Sequence, residues 1–159
     1  MKYQIRKAAK KDVSTVYHFI CVLEETIFEY AGFENIFFLN LDNKDCCYLV
    51  ATNEEDAVIG FISGHIQNLL HHCGRVAEIQ ELFVVKPYRN MSIGRGLVNS
   101  LLEKIQFDNV IAIEVTAQNK RLKTHAFYEQ VGFVHSHKKF TKKLKLIYEI
   151  ELKLCKRKA

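Results

Sequence analysis

The stretch "ELFVVKPYRNMSIGRGLVNSLL", residues 81–102, decides the fold prediction. An apolar run typical of a buried strand passes through the only proline of the chain into a turn with two arginines and two glycines, and an amphipathic helix follows from about Ile93. A helix that begins directly after a strand presents several backbone N–H groups without internal partners, and the helix dipole adds about half a positive charge there. Such a junction binds anions, most often phosphate. The alternative is a tight connection that needs its glycines for geometry only.

Two familiar phosphate-binding motifs do not fit this turn. The P-loop spacing and its Lys-Ser/Thr pair are absent, and no third glycine follows Gly94 and Gly96 at the dinucleotide-binding spacing. The sequence therefore predicts a different kind of phosphate turn.

The segments on either side predict an α/β fold, in detail an α+β mixed sheet with helices on its faces. Asp12 is a candidate N-cap for a helix whose apolar residues recur at spacings of three and four from Val13 to Ile27. Gly132 stands where a left-handed cap residue is expected. The other predicted helices cover 34–41, 93–106 and 121–131. The predicted strands cover 3–8, 46–52, 57–67, 76–85, 109–117, 133–140 and 145–154, which gives the order β-α-α-β-β-β-α-β-α-β-β.

Composition limits the class of protein. With 159 residues and 48% hydrophobic content, the chain is expected to form one domain, 1–159, with a flexible basic tail at 155–159. No apolar run approaches 18 residues and no basic-then-apolar leader opens the chain, so we expect a cytoplasmic protein that does not enter membranes. Adjacent Cys46 and Cys47 among five cysteines indicate reduced thiols. The net charge of +5 suits solvated lysines or a small anionic ligand, and no nucleic-acid partner is expected.

The turn at 89–96 resembles the pyrophosphate-binding segment of the GCN5-related N-acetyltransferase (GNAT) superfamily, whose pattern is Arg/Gln-x-x-Gly-x-Gly/Ala. Arg89 matches the first position and Gly94 the last, whereas Ser92 stands where the first glycine is usual. Serine tolerates positive φ less readily than glycine, so the turn should be slightly different or slightly strained. "THAFYEQVGF" at 124–133 resembles the second recognisable segment of the superfamily, and the element order is similar over the whole chain.

This resemblance implies the acyl-CoA N-acyltransferase fold and acetyl-CoA as cosubstrate, with the backbone amides of the turn holding the pyrophosphate. In many relatives an asparagine stands seven residues before the helix tyrosine, but here that position is Arg121, which we expect to contact an anion, and Asn119 lies two residues earlier. The implied cofactor-binding residues are Leu82, Phe83, Val84, Arg89, Asn90, Met91, Ser92, Ile93, Gly94, Arg95, Gly96, Asn119 and Arg121.

A narrower resemblance covers residues 12–24, 65–84, 118–133 and 136–142, which are similar to the aminoalkylphosphonate N-acetyltransferases. It implies a small amine bearing a phosphonate as acceptor, with a divalent cation as a further option. The candidate substrate-binding residues are His65, Gln67, His71, Gln80 and Lys120, and His72, Arg75 and Arg121 lie on the same segments. Adjacent histidines cannot easily bind one ion and Cys73 has no paired cysteine at zinc spacing, so no metal site is predicted in "LHHC".

Attack on a thioester requires a neutral amine, whereas an alkylammonium has a pKa of about 10.4, so losing the proton near neutral pH costs roughly 5 kcal/mol. Glu78, Gln80 and Glu81 fall within four residues of an apolar strand, and no single alternation puts all three on one face unless a bulge re-aims one. We predict Glu78 as the general base and Glu81 as the second choice. The alternative for Glu78 is a strand-end carboxylate paired with Lys or Arg.

Tyr128 resembles the family tyrosine that protonates the departing thiolate, and the alternative is an aromatic side chain that packs on the sheet. The resulting expectation is an N-acetyltransferase that moves an acetyl group from acetyl-CoA to the primary amine of a small anionic acceptor, by direct attack with a general base. An aminoglycoside, a polyamine or a protein amine remains open as acceptor, and so does a module that binds acetyl-CoA without catalysis. Dimers are frequent in the superfamily, so a homodimer is expected by analogy only.

Overall fold

The computed structural model describes residues 2–106, 108–137 and 139–142. Within them five strands form one mixed sheet in the order β1-β2-β3-β4-β5. Neighbours from β1 to β4 are antiparallel, and β4 and β5 are parallel. The strands are β1 (Gln4–Lys7), β2 (Cys46–Thr52), β3 (Val58–Leu69), β4 (Gly74–Val84) and β5 (Val110–Val115).

Helices cover both faces of the sheet. They are α1 (Val13–Glu24), α2 (Tyr30–Asp42), α3 (Ile93–Gln106) and α4 (Leu122–Gln130). The α1/α2 face buries Val16, Phe37 and Phe61 in one cluster, and the α3/α4 face buries Leu97 and Tyr128 in another. The fold class and the first nine elements of the predicted order are confirmed. None of the helices among the described residues has the length and hydropathy that a membrane span requires.

α3 has the bounds that its sequence pattern predicts. Ile93, Leu97, Leu101 and Ile105 recur every four residues, and each is at most 3% exposed. α3 also provides the crossover that a parallel β4–β5 pair requires. The pattern therefore sets both the helix and the direction of β5.

Around α1 and α2 the predicted ends are wrong. α1 ends at Glu24 because Glu25 takes a left-handed backbone with φ of 53°, and Ile27, which was predicted on the helix, is 88% exposed beyond it. α2 begins at Tyr30, ahead of the predicted 34–41, because the Glu29 side chain accepts hydrogen bonds from the first free amides of the helix.

Asp12 does not cap α1 through its side chain as predicted. Its carboxylate accepts a hydrogen bond of 2.8 Å from the Ala9 amide and two from the Arg6 guanidinium, at 2.7 and 2.9 Å. Burial alone would raise the pKa of Asp12, but the Arg6 and Ala9 hydrogen bonds together lower it. Asp12 therefore ties β1 to the start of α1.

The predicted strand at 133–140 is not formed by the described residues of that range. An extended segment becomes a strand only when a neighbour shares its hydrogen bonds, and none of the described residues does so here. The strand predicted at 145–154 lies outside the described residues. Gly132, by contrast, has the predicted left-handed backbone after α4, with φ of 97°.

Candidate active site

The turn between β4 and α3 has the geometry of an anion site. Asn90 and Ser92 have φ of 63° and 60°, so the serine at the usual glycine position is held in the left-handed region, which is the strained of the two alternatives given above. The Ser92 carbonyl accepts from the Gly96 amide at 2.9 Å. Among the described residues, none accepts from the amides of Ser92, Ile93, Gly94 and Arg95. These four donors open the helix and can hold a phosphate.

The two glycines of the turn serve different purposes. A Cβ atom at Gly94 would lie 3.4 Å from the Phe127 ring, which is ordinary contact, so a larger side chain would enter the space between α3 and α4. A Cβ atom at Gly96 would instead run into the Tyr3 hydroxyl. Because the Gly96 amide is also engaged, this glycine allows α3 to approach β1.

The side chains of the turn lie around its donors. Arg89 Nε donates to the Val84 carbonyl at 2.9 Å, and its guanidinium lies 5.7 Å from the centre of the Phe83 ring. Arg95 reaches the Gln130 carbonyl at 3.4 Å, and Met91 is 45% exposed. The two arginines therefore give the turn and its surroundings a positive charge.

A slot opens between β4 and β5 next to this turn. The parallel ladder ends where Ile79 pairs with Val115, so residues 80–84 of β4 have no β5 partner. The Glu81 amide bonds to Ser63 Oγ and the Val85 amide to the Ile59 carbonyl, both toward β3. Because backbone groups alternate along a strand, the amide and carbonyl of Leu82 point into the slot. The slot can therefore pair with an extended amide-containing chain.

A β-bulge at Gln80 decides which side chains face the α1/α2 side. Ser63 of β3 pairs with Glu81 and the next residue, Gly64, pairs with Ile79, which leaves Gln80 as the extra residue. Glu78 and Glu81, three apart, consequently share one face of the sheet. The sequence predicted that a bulge could re-aim one of these polar residues, and this prediction is confirmed.

On that face lies a cavity of about 330 Å³ between the sheet and the helices α1 and α2. Its strand side is mainly polar and its helix side is mainly apolar. The strand side consists of Tyr48, Phe61, His65, Gln80 and Glu81. The helix side consists of Val16, Ile20, Glu24, Phe28, Phe33, Ile36, Phe37 and Asn40.

Glu81 is the carboxylate on the cavity floor. The buried Ser63 hydroxyl donates to its Oε2 atom, and the Glu81 amide donates back to Ser63 Oγ at 3.0 Å. Burial raises the pKa of Glu81, against the opposing effects of the Ser63 hydrogen bond and of His65. This carboxylate is held in one orientation and prefers to hold a proton more than an ordinary glutamate does.

Glu78 is not part of the cavity lining. Its Oε1 atom accepts from Thr116 Oγ1 at 3.2 Å and from Lys139 Nζ at 3.3 Å. Burial would raise the pKa of Glu78, but hydrogen bonds from Gln80 and Lys139 outweigh it and lower the pKa. The geometry is that of the alternative considered for Glu78, a carboxylate paired with a lysine.

Tyr48 and His65 form the polar end of the cavity together with Asn40. Asn40 Nδ2 donates to the Tyr48 hydroxyl at 2.7 Å, and that hydroxyl lies 3.2 Å from His65 Nε2. Since the hydroxyl accepts from Asn40, its own proton can be donated to Nε2 when the His65 ring carries its proton on Nδ1. Burial raises the pKa of Tyr48, so its hydroxyl stays protonated.

The other predicted acceptor contacts are spread over several places. Of them, His65 and Gln80 line the cavity, whereas Gln67 is exposed farther along β3 and His71 lies in the turn after it. Lys120 Nζ lies 3.7 Å from Glu25. His72 lies 3.7 Å from Glu114, and Arg75 pairs with Asp45, both away from the cavity lining.

Arg121 is the predicted cation that stands next to the cavity. Its Nη2 atom donates to the Leu23 carbonyl at 2.6 Å and lies 3.3 Å from Glu24 Oε1, and Glu24 lines the cavity. Among the described residues, its Nε and Nη1 atoms have no hydrogen-bond partner. Asn119 lies in the turn that precedes α4.

Tyr128 lies on the opposite face of the sheet, in the α3/α4 cluster. Its ring contacts the rings of Phe127 and Phe133 at 5.2 and 5.3 Å between centres. Burial raises its pKa to about 12. Among the described residues, Arg6 Nε is the one polar side-chain atom that is fully buried without a hydrogen-bond partner. The Tyr128 hydroxyl is not such an atom, although no hydrogen bond to it is found among these residues. It is therefore still partly accessible.

The sequence analysis did not identify Tyr48, Asn40 or most residues on the helix side of the cavity. Tyr48 stands in the apolar strand "CCYLVAT" and the phenylalanines of α2 have helical spacing, so each fits a core position equally well. Across the described residues, no group of three or more His, Cys, Asp or Glu side chains has the arrangement of a metal site.

Comparison with known proteins identifies the family. The model of the acetyltransferase (GNAT) family matches residues 12–133. The chain is 35% identical over 141 residues to an aminoalkylphosphonate N-acetyltransferase of Salmonella typhimurium, an alignment that covers 89% of this chain and 91% of that protein.

Solved structures agree on the fold. A transcriptional regulator from Bacillus halodurans superimposes with a TM-score of 0.81 at 22% identity, over 90% of this chain and 100% of that one. An aminoglycoside 6′-N-acetyltransferase from Acinetobacter baumannii superimposes with a TM-score of 0.77 at 18% identity, over 91% of this chain and 99% of that one. At these identities the likeness concerns the fold alone.

Proposed function

Because the chain belongs to the acetyltransferase (GNAT) family, we propose that it transfers the acetyl group of acetyl-CoA to the primary amine of a small acceptor that carries a phosphonate, such as an aminoalkylphosphonate. It is an acetyl-CoA-dependent N-acetyltransferase by family and by its curated relative. One observation carries the proposal. Three features adjoin one another along β4: the slot between β4 and β5 (the donor slot), the free amides of the turn and the cavity that contains Glu81.

The residues present fit acetyl-CoA. The amides of residues 92–95 provide four donors for a pyrophosphate, with Arg89 and Arg95 beside them. The unpaired edge of β4 at Leu82 provides an amide and a carbonyl for the pantetheine arm. Acetyl-CoA, when bound, supplies the acetyl thioester. Bound this way, its reactive end would lie toward the bulge at Gln80.

We assign the general-base role to Glu81, the second choice of the sequence analysis. In support, Glu81 lines the cavity, is oriented by Ser63 and has a raised pKa, which suits proton abstraction near neutral pH. Glu78 is engaged by Lys139 and Thr116, so its lowered pKa makes it a weaker base. Tyr128, whose hydroxyl is protonated at neutral pH, is our candidate for the donor at the departing sulfur.

Arg121 is the candidate contact for the phosphonate. Its Nη2 atom lies 3.3 Å from Glu24 at the cavity wall, and its Nε and Nη1 atoms have no hydrogen-bond partner among the described residues. A guanidinium binds a tetrahedral oxyanion well. The name of the curated relative supports the same class of acceptor. Assays with and without Mg²⁺ test whether a divalent cation bridges the phosphonate and a cavity carboxylate.

A cationic amine without a phosphonate, such as an aminoglycoside or a polyamine, is the second candidate. The observation that favours it is that Glu24 and Glu81 both line the cavity, whereas the nearby cations Lys120 and Arg121 already face Glu25 and Glu24. Carboxylates complement a polycation.

A thiol-release assay with acetyl-CoA separates the candidates. We expect turnover of 1-aminoethylphosphonate to exceed that of a polyamine and of an aminoglycoside, each measured with and without Mg²⁺. Arg121→Gln should raise the KM for the phosphonate and leave the KM for 2-aminopropane unchanged, because that amine lacks the anion. Equal turnover of 1-aminoethylphosphonate and 2-aminopropane would contradict the assignment of an anionic acceptor.

A further inference from the structure

The helix side of the cavity contains more apolar surface than the smallest aminoalkylphosphonates could cover. Phe28 and Ile36 line the cavity and are 37% and 59% exposed, although both are large and apolar. Deeper in the same wall, Val16 and Phe37 are 1% and 3% exposed and belong to the core. The rim of the wall is thus a set of apolar side chains that the described part of the protein leaves uncovered.

This wall is held in place before any ligand arrives. The Tyr17 hydroxyl donates to the Phe28 carbonyl at 2.8 Å and fixes the loop between α1 and α2. The Tyr17 ring packs edge-on against Phe33 at 5.3 Å, and Phe33 is stacked with Phe37 at 6.3 Å. A preformed aromatic wall loses little conformational freedom when a second apolar group packs on it.

The volume of the cavity indicates what kind of acceptor would fill it. At about 330 Å³ it lies at the lower end of the range of pockets that enclose drug-sized ligands. Aminomethylphosphonate has a single carbon atom, so it has almost no apolar surface to place against Phe28 or Ile36. An acceptor that fills the cavity needs an apolar group in addition to its amine and its anion.

We propose that the preferred acceptor carries an aromatic or large branched apolar group on the carbon next to its amine, and that this group packs against Phe28, Phe33 and Ile36 while the amine meets Glu81. This subsite adjoins the acceptor site of the proposed function and rests on that assignment. It sets specificity by the burial of apolar surface, independently of the contacts to the anion.

The test compares 1-amino-2-phenylethylphosphonate with 1-aminoethylphosphonate in the thiol-release assay, using the full chain. Burial of a phenyl group predicts that kcat/KM is about 10- to 100-fold higher for the phenyl compound. Ile36→Ala should lower this ratio several-fold, because Ile36 is on the rim. The matched control is Leu39→Ala, since Leu39 is also an exposed aliphatic residue of α2, at 63% exposure, but does not line the cavity.

Equal kcat/KM for the two phosphonates, or a ratio that Ile36→Ala and Leu39→Ala change alike, would overturn the subsite. The same comparison between 2-phenylethylamine and ethylamine separates this failure from failure of the proposed function. If neither phosphonate reacts but 2-phenylethylamine is preferred, the apolar subsite is supported and the phosphonate assignment is wrong. If both phosphonates react without preference and exceed the two simple amines, the phosphonate assignment stands and the subsite is overturned. If no amine releases thiol, both are overturned.

Discussion

Replacement of Glu81 by glutamine tests the chemistry most directly. Glutamine keeps the size of the side chain and can still accept a hydrogen bond from Ser63, but it cannot take a proton from the acceptor. The change therefore removes the base and leaves the cavity in place. Acetyl-CoA affinity should stay the same, because the donor slot and the turn lie elsewhere on β4 and α3.

The expected loss follows from the proton that Glu81 must take. An alkylammonium with a pKa of about 10.4 is more than three units above neutral pH, so losing its proton costs roughly 5 kcal/mol. A positioned general base typically contributes about 10²- to 10⁴-fold. We expect kcat to fall by that factor in Glu81→Gln.

The pH profile identifies which carboxylate is the base. A base acts when deprotonated, so activity falls as the pH falls through its pKa. Burial raises the pKa of Glu81 above its ordinary value of 4.5, whereas hydrogen bonds overcome burial and lower the pKa of Glu78 below the same value. The acid limb of kcat/KM should therefore lie above 4.5 in the wild type and be absent in Glu81→Gln.

Glu78→Gln is the matched control, since Glu78 shares the face and the strand but not the cavity. It should keep kcat within a few-fold and keep the acid limb. An acid limb that persists in Glu81→Gln with kcat within tenfold of the wild type would refute the role of Glu81. A hundredfold loss of kcat in Glu78→Gln but not in Glu81→Gln would instead assign the general-base role to Glu78, the first choice of the sequence analysis.

Three further changes test other parts of the molecule. Asp12→Ala should lower the free energy of unfolding in urea by about 2–3 kcal/mol, because it removes the buried partner of two Arg6 hydrogen bonds and of the Ala9 amide. In the wild type this stabilisation should be complete above the unfolded-state pKa of about 3.9 and be lost as the pH falls through the lowered folded-state pKa of Asp12, and a flat pH profile would contradict it. Gly94→Val should weaken CoA binding in calorimetry by about tenfold or more, because the side chain crowds Phe127 and shifts the start of α3, whose free amides are proposed to hold the phosphate. Retained affinity would argue against phosphate binding by these amides. Tyr128→Phe should lower kcat by about 10²-fold without weakening CoA binding, and an unchanged kcat would leave Tyr128 as a packing residue.

The sequence was sufficient for the elements that depend on local pattern. The strand at 46–52 and the helix at 93–106 were predicted with the bounds they have, since each has an uninterrupted apolar period and clear ends. The predicted end of α1 was wrong because the left-handed backbone of Glu25 ends the helix. Glycine or asparagine is usual at such a position, so a glutamate does not predict a helix end.

Contacts between distant segments explain what the sequence could not predict at the site. Glu78 and Glu81 are equivalent by composition, and they differ because Lys139, 61 residues beyond Glu78, engages one of them while Ser63 orients the other. Likewise, the sequence predicts Lys120 and Arg121 as cations available to the acceptor. In the fold, the end of α1 places Glu25 beside Lys120 and Glu24 beside Arg121. Pairings over such separations are set by the tertiary fold.

The bulge at Gln80 connects the two halves of the proposed reaction. Beyond it, β4 leaves the ladder with β5, which frees the backbone of Leu82 for a bound chain. The same extra residue aims Glu81 into the cavity on the α1/α2 face, while Tyr128 lies on the α3/α4 face. A thioester lying in the slot would therefore have a proton acceptor on one side of the sheet and a proton donor on the other.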